Sequence, residues 1–356
     1  MDFSMPASSA ELGDWEIASV QERGDLTFPT SLAQFQRLFP DDAACATYLE
    51  KARWEHGFIC PHCRENREPF RLKNRPGVLT CRKCRKQTSL TIDTVMERTH
   101  SPLTTWFWGA YLLSSLTPGL SAVQFQRQVG LSRYETAFQI LHKLRAGMVR
   151  PDRARIGGNL NRGDHVEVDE TWIGGALRRT ARSDTDKTLV IGAVEVLQWK
   201  PKRDVTVAPR NRLYAGRLRM EVLHDRDSTS LCRFVEAAVE PQALVITSDC
   251  PGYTTLTQRG YQHRVVAGGG EPEVTEDYLS MVRLVFLNLK SWLSGTHHGV
   301  SPKHLQAYLN EFAFRFNRRL APFSAFRSLL GIGASAESPT YEDLYSGRWR
   351  HPRIGD

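Results

Sequence analysis

The hydrophobic and polar positions after residue 160 follow the short blocks that are typical of β-strands. Val166 and Val168 alternate with polar residues, and apolar blocks follow at 188–197 and 218–223. The pattern then predicts, in order, a helix over 229–239, a strand over 243–247, a short helix over 253–259, a strand over 263–266, and helices over 276–293 and 302–317. This order predicts an α/β domain with a mixed sheet and flanking helices.

Helical patterns dominate the first 160 residues, apart from a stretch rich in cysteine. Asp41 and Asp42 predict the start of a helix over 43–54. Three further helices are predicted, one beginning at Ser101 with a proline in its first turn, one over 121–129 and one over 133–148. A short turn that starts with glycine separates the last two, which is the pattern of a helix-turn-helix. Many helix pairs with this pattern bind nothing, and that is the alternative interpretation.

Four of the seven cysteines form two matched pairs, Cys60 with Cys63 and Cys81 with Cys84, separated by 17 residues. Each pair can fold as a tight turn that presents two sulfurs to one ion. Two such turns complete a tetrahedral four-thiolate site with no open position, so the spacing predicts a zinc ribbon with structural Zn²⁺. A redox pair is the alternative, which two matched pairs argue against, and His62 is a further candidate ligand.

The changes in pattern predict five regions along the chain. Gly157 and Gly158 mark a linker between the helical part and the strands. The regions are a lead-in with a helix at 1–55, the zinc ribbon at 56–95, a helical, helix-turn-helix-like DNA-binding region at 96–155, the α/β domain at 160–325, and a C-terminal tail at 326–356.

The 356 residues carry a net charge of +8, and its distribution says more than its total. Residues 60–160 contain 17 Lys and Arg against 6 Asp and Glu, so this stretch holds +11 and the rest of the chain −3. Such a basic stretch indicates a polyanion partner, because each neutralised phosphate releases counterions. A solvated basic surface is the alternative. The predicted DNA contacts are Arg82, Lys83, Arg85, Lys86, Arg133, Lys143, Arg145 and Lys303.

The overall composition is ordinary for a globular protein, with 41% hydrophobic and 24% charged residues. No apolar run approaches the roughly 18 residues of a membrane span. The first residues also lack the basic segment and apolar stretch of a secretory signal. The sequence therefore predicts a cytoplasmic protein without a membrane partner.

Two aspartates follow predicted strands, Asp169 near the end of the first and Asp249 just beyond the fourth. The order of elements is that of a ribonuclease-H-like sheet. If these two strands are neighbours, the carboxylates converge and repel each other unless a divalent cation joins them, and Mg²⁺ or Mn²⁺ suits such ligands. Two such ions would activate a nucleophile and stabilise a leaving oxygen in an in-line displacement. A cap or turn role is the alternative for each aspartate.

Five blocks of this sequence resemble the IS1595 family of bacterial insertion-sequence transposases, with its ISXO2-like catalytic domain. The blocks are residues 81–91, 102–107, 168–175, 248–253 and 288–319. The resemblance implies a zinc ribbon and a helical DNA-binding region before a ribonuclease-H-like core. It also implies cut-and-join chemistry at terminal inverted repeats, carried by an Asp-Asp-acid set whose first two positions match Asp169 and Asp249. By analogy, the protein would act as a homo-oligomer on double-stranded DNA, both repeats and target, in the bacterial nucleoid.

The third position of the family site departs from the family pattern. In such families it holds Glu, Asn or His, seven residues before a lysine on the same helix. Here the lysine is Lys290, and the residue seven positions earlier is Arg283. A guanidinium stays protonated and offers no lone pair to a metal, so Arg283 would repel cations or pair with the aspartates. Lys290 would contact a phosphate near the scissile bond, or is an ordinary surface lysine.

Other acidic residues are weaker candidates for the missing ligand. Glu276 and Asp277 lie two turns before Arg283, Glu170 would point away from the site, and Glu311 suits a packing or salt-bridge role. The sequence therefore predicts a DNA transposase with impaired catalysis. The alternatives are a catalytically inactive or repurposed DNA-binding protein derived from a transposase, and a zinc-ribbon module that binds protein partners.

Overall fold

The computed structural model of the chain describes residues 29–54, 56–72, 74–149, 154–158, 160–161, 163–174, 187–198, 213–266, 279–320 and 322–333. These residues divide into two units. Unit 1 holds the described residues up to Thr117, then Ala122–Gly147 and the described residues from Arg318 onward. Unit 2 holds Pro118–Ser121 and Met148–Asn317, and it contains both aspartates.

Unit 1 combines helices with a small antiparallel sheet whose strand order is β1-β2-β3. Its elements are α1 (Leu32–Leu38), α2 (Asp42–Arg53), β1 (Phe70–Leu72), β2 (Arg75–Thr80), β3 (Gln87–Ser89), α3 (Leu103–Ser115), α4 (Ala122–Val129), α5 (Tyr134–Ala146) and a last helix, Pro322–Gly333. Helix α2 begins where the sequence predicts, because the Asp41 carboxylate accepts a hydrogen bond from the Ala44 amide at 2.8 Å. Helix α1 is an addition to the predicted lead-in.

An aromatic cluster forms the core of the helical part of unit 1. Phe35 of α1, Phe107 of α3 and Phe326 of the last helix are almost completely buried, and the Phe326 ring also contacts Phe39 and Tyr111. Rings of this size supply much of the apolar area that a small core buries. The predicted tail at 326–356 is therefore wrong at its start, since residue 326 lies inside a helix and packs into a core. The part of that tail beyond residue 333 lies outside the described residues.

Unit 2 is built on a five-stranded mixed sheet, as the sequence predicts. The strands are β4 (His165–Ile173), β5 (Thr188–Gln198), β6 (Leu213–Leu223), β7 (Leu244–Ser248) and β8 (Gln262–Val266). Their spatial order is β6-β5-β4-β7-β8, with β4, β5 and β6 antiparallel and with β7 and β8 parallel to β4. The three hairpin-type strands followed by two crossovers give the predicted ribonuclease-H-like arrangement.

Helices cover both faces of this sheet. They are α6 (Ser228–Ala238), α7 (Ser280–His297) and α8 (Pro302–Asn317). The last helix of unit 1, Pro322–Gly333, is numbered α9. Val168 of β4 packs in one core layer with Phe234 of α6, whereas Ile173 packs in the other layer with Phe286 of α7. Successive side chains of β4 therefore face α6 and α7 in turn. In the described part of the chain, no helix is long and apolar enough to cross a membrane.

Gly192 of β5 lets α7 approach the sheet beside the candidate site. It is the register partner of Asp169 on β4. A Cβ atom built on Gly192 would lie 3.0 and 3.1 Å from two ring carbons of Phe286, which is tighter than ordinary van der Waals contact. The missing side chain therefore makes room for the Phe286 ring against the strand.

We expect Gly192→Val to destabilise the protein by about 1–3 kcal/mol, because a branched side chain would overpack the contact with Phe286. Urea unfolding followed by circular dichroism measures the change. Gly295→Ala is the matched control on α7, since nothing lies within 4 Å of its added Cβ atom, and it should leave stability equal or slightly higher. Equal stability of Gly192→Val and wild type would contradict the close packing.

Candidate functional site

The two cysteine pairs of unit 1 adopt the same backbone turn. In the first, the Cys60 amide donates to the Glu65 carbonyl at 2.8 Å, and the Arg64 amide donates to the Cys60 carbonyl at 2.9 Å. The turn that begins at Cys81 repeats both hydrogen bonds, at 3.0 and 3.1 Å. Arg64 and Arg85, the residues that follow each pair, have positive φ angles of 59° and 61°. The shared turn explains why two distant pairs can present their sulfurs in the same way.

The four sulfurs converge as a zinc site requires. All four Sγ atoms lie within 4.8 Å of one another, with 3.7 Å between Cys60 and Cys84 and 3.6 Å between Cys63 and Cys81. Tetrahedral Zn²⁺ with Zn–S bonds of about 2.3 Å holds its sulfurs roughly 3.8 Å apart, so this donor set fits. Backbone N–H groups, first that of Cys84, lower the pKa of Cys81 to about 7, which favours the thiolate. His62 is exposed and is not one of the converging donors.

Basic residues of the second cysteine turn lie on the surface of the ribbon. Arg82, Lys83, Arg85 and Lys86 are all exposed. The guanidinium of Arg82 lies 4.3 Å from the ring centre of Phe70, and that of Arg85 lies 5.3 Å from it. Cation–π contacts of this kind order long side chains at a surface. The four predicted DNA contacts of the ribbon are therefore accessible in unit 1.

Helices α4 and α5 form the predicted helix pair. Gly130, which follows α4, has a φ of +68°, a left-handed conformation that glycine adopts readily. Phe125 of α4 and Ala137 of α5 are fully buried in unit 1. Arg133 and Tyr134 are exposed at the start of α5. In helix-turn-helix proteins the first residues of the second helix contact base edges, so the exposed end of α5 is the end that the motif uses.

The predicted DNA contacts of Lys143 and Arg145 are wrong. Their exposed fractions are only 4% and 1%, and the Lys143 ammonium donates to the carbonyl of Glu97 at 3.1 Å. Burial lowers the pKa of Lys143. The physical reason is that residues 140–149 are buried on every side of the helix, whereas the helical pattern predicts only one buried face.

In unit 2, the two aspartates belong to neighbouring segments of the chain, because the strands β4 and β7 pair in parallel. Val168 pairs with Thr247 in this register. Asp169 therefore follows the last residue of β4 that pairs with β7, and Asp249 lies one residue beyond the end of β7. Asp169 is in the middle of β4 and not near its end as predicted, because β4 continues to pair with β5 as far as Ile173. Asp249 is exposed, whereas the Asp169 side chain is 13% exposed. The condition stated for convergence of the two carboxylates, that their strands are neighbours, is met.

Arg283 lies in the first turns of α7 and faces Asp169. Its Nε atom is 3.8 Å from Asp169 Oδ2, and its side chain is 37% exposed. Burial raises the pKa of Asp169, and the charge of Glu170 adds to this effect. The backbone N–H of Glu170, the nearby Ser248 hydroxyl and the Arg283 guanidinium lower the pKa of Asp169, but they offset the increase only in part.

These residues do not fit a pair of catalytic divalent ions. A guanidinium beside Asp169 places a fixed positive charge where a cation would bind, and it donates hydrogen bonds without accepting any. Among the described residues, no third histidine, cysteine or carboxylate converges on Asp169 and Asp249. The acidic set is therefore incomplete in this part of the chain.

The other acidic candidates are engaged elsewhere or lie outside the described residues. Glu170 points to the α6 side of the sheet, as predicted, and accepts a hydrogen bond from the Tyr253 hydroxyl at 2.6 Å. Glu311 is fully buried on α8, 3.7 Å from Arg315. Glu276 and Asp277 lie outside the described residues.

Two predicted phosphate contacts lie on the surface of unit 2. Lys290 is exposed on α7, two helical turns after Arg283 and hence on the same face of the helix. Lys303 is exposed in the first turn of α8. Both side chains are accessible to a polyanion.

Sequence reasoning missed Glu167 on β4. Its exposed fraction is 2%, and its carboxylate accepts a hydrogen bond from the backbone amide of Val282 on α7 at 2.8 Å. The available signal was its position between Val166 and Val168, since a carboxylate in a buried strand needs a partner. Its partner lies 115 residues away in sequence, which the strand pattern does not reveal.

We expect protein purified without added metal to carry one Zn²⁺ per chain, measured by atomic emission. Cys81→Ser should lose the ion and unfold the ribbon, because the free energy of structural zinc binding contributes directly to folding. Cys45→Ala is the control, since Cys45 is a lone buried thiol in α2 outside the four-sulfur group. Zinc-free wild-type protein would contradict the assignment.

Two family models match the chain. The transposase zinc-ribbon domain matches residues 40–87, which include all four cysteines. The ISXO2-like transposase domain matches residues 162–317, which include Asp169, Asp249 and Arg283. No curated protein matches the chain. Since both models describe parts of one kind of transposase and match in the predicted order, the chain belongs to the IS1595 family of transposases.

Proposed function

We propose that this transposase binds the terminal inverted repeats of its insertion sequence, and that Arg283 impairs metal-dependent strand cleavage and transfer in its core. The observation that carries the proposal is the 3.8 Å separation of Arg283 Nε and Asp169 Oδ2. A fixed positive charge lies where the chemistry of the family needs an electron-pair donor.

The DNA-binding part of the proposal rests on the surface of unit 1. The exposed ribbon residues Arg82, Lys83, Arg85 and Lys86 are suited to phosphates, which provide affinity and salt dependence. Arg133 lies at the exposed start of α5 and is suited to a base edge in the major groove. We therefore assign affinity mainly to the ribbon and sequence preference mainly to α5.

The catalytic part of the proposal concerns unit 2. Asp169 and Asp249 are the two family carboxylates that remain, and Lys290 and Lys303 are proposed phosphate contacts. Mg²⁺ or Mn²⁺, when bound at such a site, activates the attacking oxygen and stabilises the leaving one. Because the guanidinium of Arg283 does not fit those ions, we derive no cleavage step for the wild-type chain.

There are two alternatives to this proposal. A catalytically inactive, repurposed DNA-binding protein would have the same DNA-binding surface, and the pairing of Arg283 with Asp169 favours it over full activity. A module that binds protein partners through its zinc ribbon is disfavoured by the basic surface of that ribbon. We also propose that the protein acts in the cytoplasm at the nucleoid as a homo-oligomer, because joining two DNA ends to a target needs more than one core.

We expect Arg283→Glu to bind Mn²⁺ roughly tenfold or more tightly than wild type, because it removes a positive charge near the ion and adds a carboxylate. Calorimetric titration measures the affinity. The same variant should gain nicking of a duplex that carries the end of the element. Arg283→Gln is the matched control, since it removes the charge without adding a metal ligand.

Two outcomes would count against this assignment. Wild-type protein that nicks DNA, with the activity lost in Asp169→Ala, would show that Arg283 does not impair the site. An Arg283→Glu protein that still binds its DNA ends but gains neither Mn²⁺ affinity nor nicking would place the third ligand at another residue.

We expect Arg133→Ala to weaken binding to the terminal repeat by about 1–3 kcal/mol, with a smaller effect on a scrambled duplex, because a base contact carries sequence preference. Fluorescence anisotropy at fixed salt compares the two duplexes. Arg37→Ala is the control, since it removes the same charge from an exposed position on α1, outside the helix pair. Equal losses for the two variants would reduce Arg133 to a general electrostatic contact.

A further inference from the structure

We propose that Glu167 and Glu170, which flank Asp169 on β4, are positioning residues. Each of them holds one of the two other segments of the site against β4. Glu167 holds the start of α7, which carries Arg283. Glu170 holds the turn after β7, which carries Asp249. The inference deepens the proposed function and rests on it for the roles of Asp169, Asp249 and the position of Arg283.

Glu167 supplies the cap that α7 lacks. The N-cap residue of this helix, Leu279, has no side-chain acceptor, and the first turn of the helix contains no acidic residue. The buried Glu167 carboxylate accepts the amide hydrogen of Val282 at 2.8 Å, which satisfies one of the free donors at the helix start. A negative charge at this end is also favoured by the helix dipole. Arg283 is the next residue, so this bond fixes its position relative to β4.

Glu170 performs the corresponding task on the opposite face of the sheet. Its side chain is 3% exposed, forms an ion pair with Arg226 and accepts the Tyr253 hydroxyl at 2.6 Å. Tyr253 is fully buried and ends a short 3-10 turn that begins at Pro251, two residues after Asp249. The turn also packs closely against α6, because a Cβ added to Gly252 would lie 2.4 Å from a terminal methyl carbon of Leu231. The turn is therefore fixed from both sides.

The alternation of β4 explains how one strand does both tasks. Residues 167 and 169 face α7, and residue 170 faces α6. Each anchor is a buried carboxylate that accepts a hydrogen bond from a segment distant in sequence, from the Val282 amide to Glu167 and from the Tyr253 hydroxyl to Glu170. The segments that carry Arg283 and Asp249 are thus both held by contacts with β4, the strand that carries Asp169.

Hydrogen–deuterium exchange of the full-length protein tests the two anchors separately. Tyr253→Phe keeps the ring and removes only the hydroxyl, and it should speed exchange roughly tenfold in 249–253 while α7 stays unchanged. Glu167→Leu should speed exchange by a similar factor in the first turn of α7 alone, and Glu167→Gln, which keeps an acceptor oxygen, should restore protection. Should Glu167→Leu not fold, Tyr253→Phe and Glu167→Gln still decide the matter.

Matched controls remove similar groups elsewhere in unit 2. Tyr261→Phe removes a buried tyrosine hydroxyl that donates to the Val239 carbonyl at 3.1 Å, and Glu195→Gln alters a buried carboxylate that pairs with Arg217. Neither should change exchange in 249–253 or α7. If the controls loosen these segments as much as Tyr253→Phe and Glu167→Leu do, the effect is general destabilisation and the proposal is overturned.

A second readout separates this inference from the proposed function. In the Arg283→Glu background, Tyr253→Phe should lower Mn²⁺ affinity several-fold, and Tyr261→Phe should not. If Arg283→Glu binds no Mn²⁺, the proposed function fails, and the exchange pattern still decides for or against the anchors. If Mn²⁺ binding is gained but Tyr253→Phe changes neither affinity nor exchange, the anchors are overturned and the proposed function stands.

Discussion

The parallel pairing of β4 with β7 is the constraint on which the site depends. It places Asp169 directly after the last residue of β4 that pairs with β7, and Asp249 directly after the end of β7. The pairing of Val168 with Thr247 fixes this register. A slip of one residue would turn Asp169 from the α7 side to the α6 side, because side chains alternate along a strand. The antiparallel pairing with β5 supports the same register, since Gly192 opposite Asp169 gives α7 room to approach.

The fold tolerates arginine at position 283 because little of its stability depends on that residue. The pair with Asp169 is partly exposed and 3.8 Å long, and such pairs are worth roughly 0–1 kcal/mol. The sheet, its two core layers and the capping of α7 by Glu167 involve other groups. The core is therefore compatible with an arginine at this position, and an inherited fold is weak grounds for assuming an inherited activity.

Local patterns predicted the features whose cause is local. The cysteine spacing predicted the zinc ribbon, and the strand blocks predicted the order of the strands along the chain, because periodicity and turn signals act over a few residues. Burial that comes from tertiary packing was not predictable. The helical period of α5 could not reveal that Lys143 is enclosed, and nothing near Glu167 indicates Val282 as its partner. Phe326 was assigned to a tail for the same reason, since its ring contacts lie far away in sequence.

The return of α9 to unit 1 has a consequence for the order in which the protein is made. Phe326 completes an aromatic core whose other members lie before residue 112, and the five-stranded sheet of unit 2 is encoded between them. Domains generally fold in the order in which the ribosome releases them. Here the core of unit 1 closes only after the sheet of unit 2 has been synthesised, so a chain that stops before α9 would expose Phe35, Phe107 and Tyr111 to water. Synthesis through α9 is thus a precondition for a stable unit 1.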